Sequence, residues 1–233
     1  VFGSGAAQEM HRRWFESHID KFNLSYSNRS DEYHGLSIAG PNSRKVLEKI
    51  VRDDVSNEKF KFRDSRRMFV GGVPAIINRI SFTGELGYEI YVAPHYQLKL
   101  YEELMEAGKE FNIKPFGGRA LMSMRLEKNW GAWTLDYRPD FTAKETGLDA
   151  FINWDKEFIG KESAQKENSS NKLIPLIVET NEIDVTNNEA VMNGDQSIGY
   201  VTSGGFAHFV NKSVAFTFVD QKNINSENKI QVE

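Results

Sequence analysis

Glu85 stands between two glycines in Ile80-Ser81-Phe82-Thr83-Gly84-Glu85-Leu86-Gly87-Tyr88-Glu89-Ile90-Tyr91-Val92, a stretch that reads as two strand-like runs meeting at a turn. Gly84 and Gly87 open backbone geometries closed to other residues, and they leave little steric cover over the carboxylate. A carboxylate there can accept two parallel hydrogen bonds from a ligand edge that presents paired N–H groups, as a pterin or guanine edge does. Taken alone, the same turn reads as a hairpin tip with a solvated acid, because turns routinely carry glycine and polar residues.

Further along lie groups that suit the rest of such a ligand. Arg119 and Arg125, interleaved with apolar residues in a helical pattern over 120–127, offer forks of donors for an acidic end. For Arg125 a surface position, paired with Glu127, is the plainer reading. Trp133 and Tyr137 lie in a stretch, Trp130 to Phe141, that is dense in rings and charges but lacks periodicity. It suits a binding loop or a loop packing its own rings, and either ring offers a flat face for stacking.

Other chemistries find no footing. There is no phosphate-binding glycine loop and no serine nucleophile elbow. His11, His18, His34, His95 and His208 fall at no recognised ligand spacing, so no metal is predicted. Cysteine is absent, which removes disulfides, thiolate metal sites and a cysteine nucleophile. A net charge of -4 with 27% charged residues points to neither nucleic acid nor an anionic membrane as partner. No apolar run approaches the roughly 20 residues of a membrane span, and no secretory signal opens the chain. The predicted setting is cytoplasmic, or an organelle matrix.

The elements that must position these groups are mixed. Ala6 to Asp20 reads as a helix with Ala7, Met10, Trp14 and Ile19 on an apolar face. A strand, Leu36 to Ala39, turns at Gly40-Pro41-Asn42-Ser43 into a helix carrying Val46, Leu47 and Ile50, which resembles half of a ferredoxin-like module. Strands are predicted over Arg67–Val70, Val73–Phe82 and Gly87–Val92, then a helix over His95–Phe111 with Leu98, Tyr101, Leu104 and Met105 on one side. The predicted class is α+β: a region over 1–165 that carries the candidate ligand groups, a polar linker over 166–172, and a small β-barrel or sandwich over 173–233. Both ends read as cut inside strand-like runs.

Several segments together resemble the glycine-cleavage T-protein, or aminomethyltransferase, superfamily. They are Ile38 to Arg44, Ser81 to Glu89, Arg119 to Lys128, Glu145-Thr146-Gly147-Leu148, Phe158 to Glu162, and Gly199 to Gly204, in the family's order. Glu127-Lys128 and Trp133-Thr134-Leu135-Asp136-Tyr137-Arg138-Pro139 look closer to the folate-binding part of dimethylglycine and sarcosine dehydrogenases. The resemblance implies tetrahydrofolate as ligand, a small methylated amine as substrate and one-carbon transfer as reaction. It implies Glu85 for the pterin, Arg119 for the acidic tail, and Arg125, Trp133 and Tyr137 as further contacts. It implies FAD only in a fused domain that this sequence lacks. The family's catalytic aspartate is expected upstream of Val1, which makes the piece catalytically incomplete on this reading. The alternatives are a free-standing T-protein-like aminomethyltransferase and a non-catalytic folate-binding or scaffold protein.

Overall fold

The computed structural model describes residues 2–180, 183–224 and 229–233. It divides into two compact units, one of Gln8–Leu121 and one of Val1–Ala7 with Met122–Glu233. The class is α+β.

The first unit holds a four-stranded antiparallel sheet in the order β1-β4-β3-β2, from β1 (His34–Ala39), β2 (Ser65–Val70), β3 (Val73–Asn78) and β4 (Gly87–Val92). Period-2 alternation sends Val73, Ala75 and Ile77 of β3 and Tyr88, Ile90 and Val92 of β4 to one buried face. The helices α2 (Ser43–Glu48) and α3 (Gln97–Gly108) contact each other and pack on this sheet. Val46 and Leu47 of α2 and Leu100, Leu104 and Ala107 of α3 complete the core.

Three expectations change here. On α3 the buried stripe is Leu100, Leu104 and Ala107, while Leu98 is 68% and Tyr101 43% exposed. Both sets obey helical spacing, and only the sheet selects between them. The helix predicted from Ala6 forms as α1 (Gln8–His18) between short 3-10 turns, yet none of its residues is buried. Met10 and Trp14 lie open, and Arg12 bridges Glu9 and Glu16 along its surface. The run predicted to extend to Phe82 leaves the sheet after Asn78: Arg79 makes the last backbone bonds, its N–H to the Asp64 carbonyl and its carbonyl from the N–H of Arg63, which takes φ +71°. Glu85 therefore rides on a longer connection, 79–86, than a tight hairpin.

The second unit carries the end of α4 (Gly118–Glu127), an irregular stretch, α5 (Lys161–Lys166), and a single curled antiparallel sheet in the order β5-β8-β7-β6-β9. Its strands are β5 (Asn171–Val178), β6 (Ala190–Asn193), β7 (Gln196–Ala207), β8 (Lys212–Asp220) and β9 (Ile230–Val232). Register shifts at Val191/Met192 and Val201/Ser203 bend the β6-β7-β8 ladder, as an extra residue on one strand does. The polar segment 166–172 contributes the last residue of α5 and the first two of β5. Hydrogen bonds from Lys144 to the Glu167 carbonyl and from Leu173 N–H to the Glu145 carbonyl fasten it to residues 142–145.

Candidate functional site

Each glycine beside Glu85 does a different job. Gly84 takes φ +73°, a left-handed conformation that costs an L-residue about 1 kcal/mol or more. Gly87 has ordinary backbone angles but no room: a Cβ there would stand 2.8 Å from the Ile38 carbonyl and 2.7 Å from the Ser81 Cβ. Hydroxyls fix the turn between them. Ser81 Oγ and Thr83 Oγ1 are 2.7 Å apart, the Glu85 N–H donates to Thr83 Oγ1 at 3.3 Å, and Thr83 is buried. The Leu86 carbonyl accepts from Gly40 N–H and Ser43 Oγ, which ties the loop's end to the turn before α2. Glu85 itself is exposed. Arg119, in the first turn of α4, is exposed too and belongs to the same unit.

Arg125 departs from the surface reading. It is fully buried, with Nη1 donating to Asp136 Oδ2 at 2.5 Å and to the Trp130 carbonyl at 3.2 Å, and Nη2 donating to Ser203 Oγ at 2.8 Å. Asp136, also fully buried, gathers further donors: Ala132 N–H at 2.8 Å, Thr202 Oγ1 at 2.5 Å and Ser203 Oγ at 2.8 Å. Burial pulls the Arg125 guanidinium below its ordinary pKa, and the Asp136 carboxylate opposes that shift. The Phe216 ring lies 5.9 Å from the Arg125 guanidinium carbon. These bonds tie α4, the ring-rich loop and β7 together. Asp136 was not singled out from the sequence. The only hint was an acid flanked by Leu135 and Tyr137, and its partners Arg125, Thr202 and Ser203 are remote along the chain.

The loop that Asp136 holds is ordered. The Ala132 carbonyl accepts from the N–H groups of Asp136 at 2.9 Å and Tyr137 at 3.0 Å, and Thr134 takes φ +70°. The Tyr137 hydroxyl accepts from Gly131 N–H at 3.2 Å, and burial raises its phenol pKa. Trp133 meets Tyr137 edge to face, with centroids 6.0 Å apart, yet remains 58% exposed. Thus Arg125, Trp133 and Tyr137 share one structured loop region of the second unit, whereas Glu85 and Arg119 belong to the first. Among the described residues, no group of three or more His, Asp or Glu is arranged to hold a metal, and no helix is long and apolar enough to cross a membrane.

Comparison with known proteins covers nearly all of this architecture. Residues 1–156 match the GCVT N-terminal domain, and residues 171–233 match the glycine cleavage T-protein C-terminal barrel domain. Human mitochondrial dimethylglycine dehydrogenase is 34% identical over 99% of this chain, which spans 28% of that protein. An aminomethyltransferase of Bacillus mycoides is 33% identical over 94% of the chain, which covers 61% of it. Among solved structures, the glycine cleavage system aminomethyltransferase T of Bartonella henselae superposes with a TM-score of 0.62 at 24% identity, over 68% of this chain and 45% of that one, a likeness of fold. With both domain patterns found in order along it, this chain belongs to the glycine cleavage T-protein family.

Proposed function

We propose that this chain binds tetrahydrofolate and serves folate-dependent one-carbon transfer from a small methylated amine. The observation that carries the reading is the exposed Glu85 carboxylate on a loop fixed by Gly84, Gly87 and two hydroxyls. A pre-set carboxylate of this kind suits the paired N–H edge of a pterin at little ordering cost. Arg119, exposed at the start of α4, is assigned to the ligand's acidic tail. Trp133 and Tyr137 are assigned to ring contact, with Trp133 supplying an open face. Arg125 is assigned a positioning role through Asp136, since both its Nη groups are spent on protein acceptors. Tetrahydrofolate supplies N5 as the acceptor of the carbon. What this chain's residues contribute is recognition and orientation of the ring.

The Trp133 to Pro139 segment favours a role like that of the folate-binding part of a dimethylglycine or sarcosine dehydrogenase, with the flavin chemistry in another domain. The match to aminomethyltransferases, at 33% identity over 94% of the chain for the Bacillus mycoides protein, supports a free-standing T-protein-like enzyme as the second reading.

Anaerobic calorimetric titration with tetrahydrofolate tests the proposal. Wild-type chain binds, and Glu85→Gln weakens binding about 10–100-fold, the range for losing charge-assisted hydrogen bonds. An unchanged Kd in that variant removes Glu85 from the site, and no wild-type binding removes the folate reading.

A further inference from the structure

Two arginines of the four-stranded unit converge on one neutral oxygen. Arg44, in α2, donates from Nη2 to Asn57 Oδ1 at 2.7 Å, and Arg79, just past β3, donates from Nη2 to the same oxygen at 2.6 Å. Their other bonds go to the Val55 carbonyl and the Tyr88 hydroxyl, from Arg44 Nε at 3.0 and 3.1 Å, and to the Phe60 carbonyl, from Arg79 Nη1. Among the described residues, every acceptor these two side chains reach is uncharged. Both side chains are partly buried, while Asn57 is exposed.

Bracing of the 55–60 segment accounts for the bonds to Val55 and Phe60. It leaves unexplained why two like charges are drawn to one amide oxygen with, among the described residues, no carboxylate hydrogen-bonded to either. Elsewhere on this unit the arginine Arg66 meets Asp64, and the lysines Lys49 and Lys99 meet Glu110 and Glu103. Two guanidinium Nη2 groups meeting at a common point suit an oxyanion, whose charge and several lone pairs can take a donor from each. Rotation of the exposed Asn57 side chain into solvent would clear that point for an anionic oxygen.

We propose that Arg44, Arg79 and the Asn57 position form an oxyanion-binding site, taking a carboxylate or a phosphate group. The carboxylate would come from an acidic small molecule and the phosphate from a phosphorylated one. The proposal is independent of the folate reading and of Glu85.

Thermal unfolding of the whole chain at pH 7 tests it, in sodium chloride, sodium phosphate or sodium glutarate at matched ionic strength. Asn57→Asp is the central variant because it puts a carboxylate where the neutral oxygen lies, on an exposed residue. Wild-type Tm rises by about 3–6 °C over chloride in at least one oxyanion, the shift for a ligand at roughly tenfold its Kd. Asn57→Asp is more stable than wild type in chloride and gains nothing specific from either anion. Any rise it retains measures general salting effects, which are subtracted from the wild-type value. A rise with phosphate alone assigns a phosphorylated ligand, and one with glutarate alone assigns an acidic one. Equal responses of wild type and Asn57→Asp to both anions overturn the site, even if Arg44→Gln proves too unstable to measure.

Discussion

The loop around Glu85 and the loop around Asp136 are built in opposite senses. At Glu85 the carboxylate faces outward, and the buried side of the turn is neutral: a threonine, hydroxyl bonds and glycines that clear space. At Asp136 the carboxylate faces inward onto Arg125, Thr202 and Ser203, and an aromatic ring, Trp133, faces out. The first arrangement displays its acid at the surface of an ordered turn. The second uses charge to hold a loop, through a buried ion pair backed by donors from Ala132, Thr202 and Ser203. An acid in a loop is thus a recognition group or a brace according to which side of the backbone it occupies.

The sharpest way to break this contrast is to remove both acids in turn. Asp136→Ala leaves a fully buried guanidinium without its counter-charge and is expected to cost about 3–5 kcal/mol, whereas Glu85→Ala should stay within about 0.5 kcal/mol of wild type. Urea unfolding measures both. Similar losses for the two variants would dissolve the distinction. The double variant Arg125→Met with Asp136→Leu should recover most of the loss, because replacing a buried ion pair by apolar groups removes its desolvation cost.

The glycines give the next effects. Gly131→Ala would place a Cβ 2.4 Å from the Tyr137 ring and force that ring from its place, an overpacking cost of about 1–3 kcal/mol. Gly84→Ala pays for the left-handed backbone at φ +73°, about 1 kcal/mol. If the reading of the two loops is right, Gly131→Ala alters the Trp133 fluorescence spectrum and Gly84→Ala does not. Folate titration should respond in both, through the ring in one case and the carboxylate in the other.

The sequence revealed these two loops unequally. Glycine at 84 and 87 is a local signal, and it correctly marked a constrained turn, although space rather than φ explains Gly87. The strand boundaries around it were less legible, because Ile80 and Phe82 continue the apolar run beyond Asn78, where β3 ends. The inward course of Arg125 could not be read locally. Its partner Ser203 is 78 residues away, and nothing in Arg-Leu-Glu-Lys distinguishes a buried arginine from a solvated one. The same holds for α3, where two interleaved apolar stripes both satisfied the helical period. Local chemistry was visible in the residues, and burial depended on pairings between distant segments.

Glu145 provides an intermediate case and the smallest effect. It is buried like Asp136, but among the described residues no ion-pair contact holds it: its Oε2 accepts from Thr142 N–H at 2.8 Å while its own N–H donates to Thr142 Oγ1 at 3.1 Å. Burial pushes its pKa up, yet hydrogen bonds from Ser169 and Thr142, with the Lys172 charge nearby, outweigh it and leave the carboxyl below its ordinary value of 4.5. A group whose pKa falls on folding adds stability that is fully present above its unfolded value and is lost as pH drops through the folded one. Wild type should therefore exceed Glu145→Gln in urea stability at pH 7, and the gap should close as pH falls below about 4.5. A gap that persists unchanged at pH 3 would mean that Glu145 acts by shape and neutral hydrogen bonding alone.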